Sequence, residues 1–228
     1  MKQKIELVVF DMAGTTVDEN NVVYKTVQKV INDEGFNVSL EEVLKHGAGK
    51  EKHQAITDIL KECTQITNVA LVANVAFSKF KVVLKCLYDS IEIKTFEGTE
   101  ELFKELRNNN IKVVLNTGYD GKTAHLLLQK LGWIIGETID GLVTADDVEN
   151  GRPEADMILL AMKNTGVTDP KKVLKVGDSA IDIEEGKNAN CGITAGVLTG
   201  AQNRTQIQEA NPTYILESLN ELRAILLQ

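Results

Sequence analysis

The sequence is poor in proline, cysteine, histidine and aromatic residues, and it has neither a long hydrophobic run nor an excess of positive charge. Its three prolines, Pro153, Pro170 and Pro212, all lie in the last third, so the first 152 residues are free of the strongest helix breaker and open to long helices. The three cysteines, Cys63, Cys86 and Cys191, are odd in number, far apart and without CxxC spacing, which argues against a disulfide framework and a zinc knuckle. The uncharged stretch of residues 65–78 is too short to span a bilayer. The opening MKQKIELVVF has too short an apolar run for a signal-peptide core and no cleavage-site pattern. Basic residues number 25 against 33 acidic ones, a net charge of −8 with no lysine and arginine stripe to neutralise phosphates. The expectation is a cytoplasmic protein whose partners include neither nucleic acid nor membrane.

What is present is an ordinary globular balance, 43% hydrophobic and 25% charged, over 228 residues. That length suits one large domain, or a core with a smaller insertion. Four β-branched runs read as strands buried on both faces of a parallel sheet: IELVVF ending at Phe10, KVVLN at Asn116, KVLKV at Val176 and ITAGV at Val197. Helical-period segments separate the later runs, near Thr99–Asn108, Gly121–Leu131, Ala155–Thr165 and Asp182–Ala189. The alternation predicts an α/β protein with a doubly wound, Rossmann-like parallel sheet. Between the first two of these strands only amphipathic segments appear, near Val22–Glu34, Leu40–Lys45, Lys50–Glu62 and Val69–Ser90. A stretch of that length exceeds an ordinary crossover and reads as an inserted α-helical domain, residues 19–92, on a core of residues 1–18 and 93–228. The segment from Val69 to Ser90 is apolar on more than one helical stripe, which fits the central helix of the insertion and leaves room for a homodimer surface.

Three strands lead into residues capable of chemistry: Asp11, Thr117 and Asp178. Ligands of open α/β sheets bind beyond the carboxyl ends of the strands, so the three are expected to converge. Each alone would read as a turn or cap residue; three at equivalent places do not. The first loop, DMAGTTVD, follows its carboxylate with Gly14, Thr15 and Thr16, whose N–H groups and hydroxyls suit phosphate oxygens. Asp178 and Asp182 in GDSAID, four residues apart, suit a hard cation such as Mg²⁺. Arg152, just before a helix, offers a fixed cation for a phosphoryl group. GAGKEK at Gly47–Lys52 is not a P-loop, because Leu44 stands where the first glycine belongs and Glu51 where Ser or Thr belongs.

In order along nearly the whole chain, DMAGTTVD, Asn116–Gly118, Arg152 and GDSAID resemble the four motifs of the haloacid dehalogenase-like hydrolases. The resemblance implies that Asp11 is a nucleophile forming an aspartyl-phosphate, that Thr117 and Arg152 hold the transferring group, and that Asp11, the Ala13 carbonyl and Asp178 bind Mg²⁺ with Asp182 in support. It also implies that the insertion is a helical cap and that two caps pair in a homodimer. One departure matters. Phosphatases of the superfamily carry a second aspartate two residues after the nucleophile as general acid, and Ala13 stands there. AGTTVD and the triplet Thr117, Gly118, Tyr119 resemble instead the phosphonatase-like branch, in which a cap lysine forms an imine with a phosphonate aldehyde.

The chemistry links the two features. Cleaving a carbon–phosphorus bond leaves a carbanion, and a protonated imine stores its electrons as an enamine, so the lysine replaces the acid. Both Lys50 and Lys52 are candidates. Ala55–Ile56 follows Lys52 at the branch's spacing, which favours Lys52; His53 follows Lys50 by three, which keeps Lys50 open. His53 and His46 are candidates for proton transfer, and Gly118, Tyr119 and Thr15 for substrate contact. Ala48 stands where the branch carries methionine. The leading expectation is cleavage of phosphonoacetaldehyde or a similar small phosphonate. The runner-up is a phosphatase of small phosphorylated metabolites, phosphoglycolate phosphatase-like or specific for good leaving groups. A binding protein that signals by cap closure belongs to another class; a dehalogenase leaves the acidic pair unexplained, and a receiver domain is about half this length.

Overall fold

The computed structural model describes residues 4–227. Strand β1 (Leu7–Asp11) is wholly buried, as a run apolar on both faces requires. It leads through the short β2 (Val17–Asp18) into four helices, α1 (Val22–Asn32), α2 (Leu40–Gly47), α3 (Lys52–Cys63) and α4 (Val69–Ser90), and the chain returns through β3 (Lys94–Thr95). β2 and β3 pair antiparallel, so the insertion leaves and rejoins the core at one place. The core continues with α5 (Thr99–Asn108), β4 (Lys112–Asn116), α6 (Gly121–Leu131), β5 (Gly141–Val143) and α7 (Asp156–Thr165). It ends with β6 (Val173–Gly177), α8 (Ala180–Asn188), β7 (Ile193–Val197), α9 (Arg204–Glu209), β8 (Tyr214–Leu216) and α10 (Leu222–Leu226).

The main sheet has six parallel strands in the order β5-β4-β1-β6-β7-β8. From β1 the chain builds outward through β4 and β5, then crosses back to place β6 on the other side of β1. The strand order therefore reverses at β1, the place where such sheets open a crevice at their carboxyl ends. Phe10 meets Phe103 of α5 edge to face, with ring centroids 5.1 Å apart, and Phe103 meets Trp133 in the same way. Each such buried aromatic contributes about 1.5–3 kcal/mol by removal from water, which fixes the strand whose end carries Asp11.

Two strands of the main sheet, β5 and β8, are absent from the sequence reading. Each has only three residues, too few for a periodicity to register. Helix α8 begins at Ala180, two residues before the expected start, so Asp182 sits in its first turn. Helix α4 buries Ala73, Ala76, Phe80, Leu84 and Tyr88 along one stripe and leaves Leu71, Val75 and Val82 exposed on another. No helix among the described residues is long and apolar enough to cross a membrane.

Candidate active site

Because β4, β1 and β6 are neighbours, their carboxyl ends bring Asp11, Thr117 and Asp178 to one edge of the sheet. All three are buried, together with Asp182 and Arg152. Carboxylate oxygens of Asp11, Asp178 and Asp182 all lie within 4.8 Å of one another. Like charges that close are costly without compensation.

Part of the compensation comes from two buried cations. Arg152 Nη1 donates to Asp11 Oδ1 at 2.7 Å, and Nη2 donates to the Asn116 carbonyl and side chain. The same guanidinium faces Asp182 at 3.1 Å and Glu185 at 3.0 Å. Lys175, fully buried on β6, donates to Asn116 Oδ1 and pairs with Asp182 at 2.8 Å and Glu185 at 3.4 Å. Burial works against the charged form of Asp182, yet Arg152 and Lys175 hold its carboxyl below the usual range. Burial raises the Asp11 carboxyl, with Arg152 opposing.

Asp178 differs. It is 1% exposed, accepts from the Ala201 N–H, and has no cation within ion-pair distance among the described residues. Burial, then Asp11 and Asp182, push its carboxyl well above the ordinary value. The cluster thus holds four buried carboxylates, Asp11, Asp178, Asp182 and Glu185, against the two cations Arg152 and Lys175. A deficit of two charges and an all-oxygen donor set fit a divalent cation such as Mg²⁺. Ala13 lies two residues beyond Asp11 and brings a main-chain carbonyl and no acid.

Around the carboxylates are groups fit for an anion. Thr15 Oγ1 is buried without a hydrogen-bond partner among the described residues. Thr117 is buried, its Oγ1 accepting from the Tyr119 N–H at 3.2 Å. Gly14, at φ 80°, passes so close to Asp178 that a Cβ there would lie 2.3 Å from its Oδ2.

The insertion meets the core above this edge. A Cβ on Gly49 would fall 2.1 Å from Ile181 Cγ2, and one on Gly118 would fall 3.0 Å from the Lys50 carbonyl. The loop before α3 is therefore seated on the β6–α8 and β4–α6 loops. Tyr24 of α1 accepts from the Gly49 N–H at 3.0 Å and pins that loop.

The two candidate lysines have different surroundings. Lys50 is partly exposed and its Nζ pairs with Asp58 at 2.6 Å. Lys52, the first residue of α3, is 6% exposed, and its Nζ lies 5.4 Å from the Tyr24 ring centroid and 5.6 Å from that of Tyr119. It donates to the Lys50 carbonyl at 2.5 Å. Burial lowers the Lys52 amine from its ordinary value, while Asp11 and Glu51 oppose the change. His53 is turned to the insertion's own helix, bonded to Asn74 at 2.9 Å and edge-on to Phe77. A cleft of about 930 Å³ opens between α4 and the start of α6, lined in part by Lys52, Tyr88, Gly118 and Tyr119.

Sequence reasoning missed Lys175, Glu185, Asn116, Glu19 and Tyr88. Lys175 left a signal: a lysine inside a run read as buried on both faces requires buried counter-charges. The others carry no local mark, since Glu19 and Tyr88 stand 69 residues apart and meet only in the fold.

Residues 8–197 match the family model of the haloacid dehalogenase-like hydrolases. The chain is 30% identical to a phosphonoacetaldehyde hydrolase of Lactiplantibacillus plantarum, covering 97% of this chain and 95% of that protein. It is 26% identical to another of that name from Latilactobacillus sakei, over 97% and 95% of the two chains. Its fold resembles a phosphonoacetaldehyde hydrolase-like protein from Oleispira antarctica, with a TM-score of 0.84, 23% identity and coverage of 99% and 92%. The chain belongs to the haloacid dehalogenase-like hydrolases.

Proposed function

We propose that this protein is an Mg²⁺-dependent phosphonatase-like hydrolase that cleaves the carbon–phosphorus bond of phosphonoacetaldehyde or a similar small phosphonate. The observation that carries this reading is the pairing of Ala13 with a buried Lys52: the usual acid is missing and a desolvated amine lines the cleft. The relatives named phosphonoacetaldehyde hydrolase support the choice of substrate.

In this mechanism the unprotonated Lys52 amine attacks the aldehyde carbon, and loss of water gives a protonated imine. Burial favours the uncharged amine, which is the nucleophilic form. Asp11 then attacks phosphorus while the electrons of the breaking bond move into an enamine. Arg152 fixes the Asp11 carboxylate and offsets charge on the transferring group. Thr15, Thr117 and Gly118 take its oxygens by hydroxyl and N–H donation. Asp11, Asp178 and the Ala13 carbonyl, with Asp182 in support, would hold Mg²⁺, which would supply positive charge to lower the repulsion between two anionic reactants. Water then releases phosphate from the aspartyl-phosphate.

Residues 19–92 act as a cap over a core of residues 1–18 and 93–228, with closure excluding water from Lys52. The exposed stripe of Leu71, Val75 and Val82 on α4 supports a homodimer through the caps. Lys50 and His53, engaged with Asp58 and Asn74, act in support of α3.

A second reading is a phosphatase of small phosphorylated metabolites whose leaving group needs no acid. The cleft of about 930 Å³ that Lys52, Gly118 and Tyr119 help to line favours it, because it leaves room beside the carboxylate cluster for a substrate larger than a two-carbon aldehyde. Incubation with phosphonoacetaldehyde and Mg²⁺ separates the two. Release of phosphate and acetaldehyde, with inactivation by borohydride only when substrate is present, supports the phosphonatase. Phosphate release from esters alone, untouched by borohydride, supports the phosphatase.

A further inference from the structure

A buried polar chain runs away from Lys52 into the insertion, and nothing in the mechanism above uses it. Glu19, 4% exposed, follows β2 at the entrance to the insertion. The Tyr88 hydroxyl, from the far end of α4, donates to Glu19 Oε2 and lies 3.3 Å from the Tyr119 hydroxyl. Tyr119 in turn flanks the Lys52 ammonium with its ring. The Val23 N–H also donates to the Glu19 carboxylate at 3.4 Å, and the Tyr119 hydroxyl bonds to it as well. Among the described residues no lysine or arginine pairs with it at ion-pair distance, so the carboxylate form is costly to keep there.

The groups facing Glu19 come from every element packed on it: Tyr24 from α1, Lys52 from α3, Tyr88 from α4 and Tyr119 from the β4–α6 loop. Three are phenols whose ionisation burial pushes well up, so they stay neutral and pass protons without holding charge. Burial raises the Glu19 carboxyl to about 7, with Tyr88 and the Val23 N–H opposing, so near neutral pH it is present in both forms.

We propose that Glu19 is the proton source for the carbon that loses phosphorus, acting through the hydroxyls of Tyr88 and Tyr119. This rests on the imine mechanism proposed above. When the carbon–phosphorus bond breaks, its electron pair becomes the carbon–carbon double bond of an enamine on Lys52. That carbon must gain one proton before water can hydrolyse the product imine to acetaldehyde. Protonated Glu19 gives its proton to the Tyr88 oxygen, Tyr88 gives its own to Tyr119, and Tyr119 gives its own to carbon. The carbon becomes a methyl group, the nitrogen an iminium, and Glu19 a carboxylate that recovers its proton from water. No oxidant or further reactant is needed. Glu19 is a positioning residue in this scheme, and it supplies at a distance the proton that no side chain at position 13 carries.

The reverse step gives the test, since the same chain must remove a methyl proton from acetaldehyde bound as an imine. Intact protein with acetaldehyde in D₂O should incorporate deuterium into the methyl group, and Lys52→Ala should abolish this. Glu19→Gln, nearly isosteric, should slow exchange about 100-fold, within the range for general acid–base steps, while borohydride still captures acetaldehyde on Lys52. Exchange undiminished in Glu19→Gln overturns the proposal. If that variant loses capture as well, Tyr88→Phe decides: capture with slowed exchange supports the relay, and full exchange overturns it. An intact protein that borohydride never labels refutes the imine mechanism itself, a separate result.

Discussion

Arg152 Nη1 lies 2.7 Å from Asp11 Oδ1, with the arginine side chain 1% and the aspartate 7% exposed. The proposed nucleophile is thus held in place by a cation 141 residues further along the chain, and that cation also balances Asp182 and Glu185. Removing it leaves Asp11 without a cation and Asp182 and Glu185 with Lys175 alone. Arg152→Ala should cost about 3–5 kcal/mol in urea unfolding and abolish phosphate release. Arg152→Lys should recover part of the stability and less of the activity, because one ammonium cannot reach Asp11, Asn116 and Glu185 together. Unfolding within about 0.5 kcal/mol of wild type for Arg152→Ala would refute the structural role.

The two lysines at the entrance to α3 should behave differently. Borohydride with an aldehyde substrate should label the intact protein and Lys50→Ala, and leave Lys52→Ala unlabelled. Loss of the half-exposed Lys50–Asp58 pair should change stability by no more than about 1 kcal/mol. Mass spectrometry of the labelled peptide reads the outcome, and an adduct on Lys50 reverses the assignment.

Mg²⁺ should raise the thermal midpoint of the wild-type protein, because it answers the unbalanced Asp178 carboxylate. At a concentration 100 times its dissociation constant the gain is about 2.7 kcal/mol. Asp178→Asn should remove most of the response, as should EDTA. A midpoint in the wild type that ignores Mg²⁺ over a thousandfold range would exclude the site.

Glu19 should leave a signature in the pH dependence of stability. Its carboxyl is raised to about 7 in the folded protein, above the ordinary value of 4.5. Between those values the folded state holds a proton that the unfolded state has lost, so stability falls as pH rises. The contribution is complete below about 4.5 and gone above about 7, a change of about 3 kcal/mol. Glu19→Gln lacks this slope, so its stability relative to wild type should rise from pH 5 to pH 8. Parallel pH profiles of the two proteins in urea unfolding would contradict it.

Ala13→Asp restores a carboxyl two residues after the proposed nucleophile. It should raise hydrolysis of simple alkyl phosphate esters by about 10–100-fold and lower carbon–phosphorus cleavage, since an acid aids an alkoxide and not a carbanion. Steady-state kinetics on both substrate classes check this, and an unchanged ratio would count against an acid-free design.

Much of the core was legible because its signals are local. KVVLN and ITAGV are β4 and β7 to the residue, and Thr99–Asn108 and Gly121–Leu131 are α5 and α6. Asp11, Thr117 and Asp178 stood out because each follows a run that has to be a strand, and strand ends in a parallel sheet share one edge. The short β5 and β8 were not legible, because three residues carry no period and take their conformation from the neighbouring strand.

The sequence by itself determined the alternation of strand and helix, the interruption by a helical stretch after the first strand, and the order of the chemical motifs, since apolar periodicity and turn residues act over a few positions. Only the tertiary structure decided between the lysines two residues apart. Lys52, opening α3, lies between two tyrosine rings, and Lys50, in the loop before the helix, pairs with Asp58. It alone brought Glu19 to Tyr88 and gave Lys175 its buried carboxylates, because burial and charge pairing are fixed by what packs across the fold and not by neighbours along the chain.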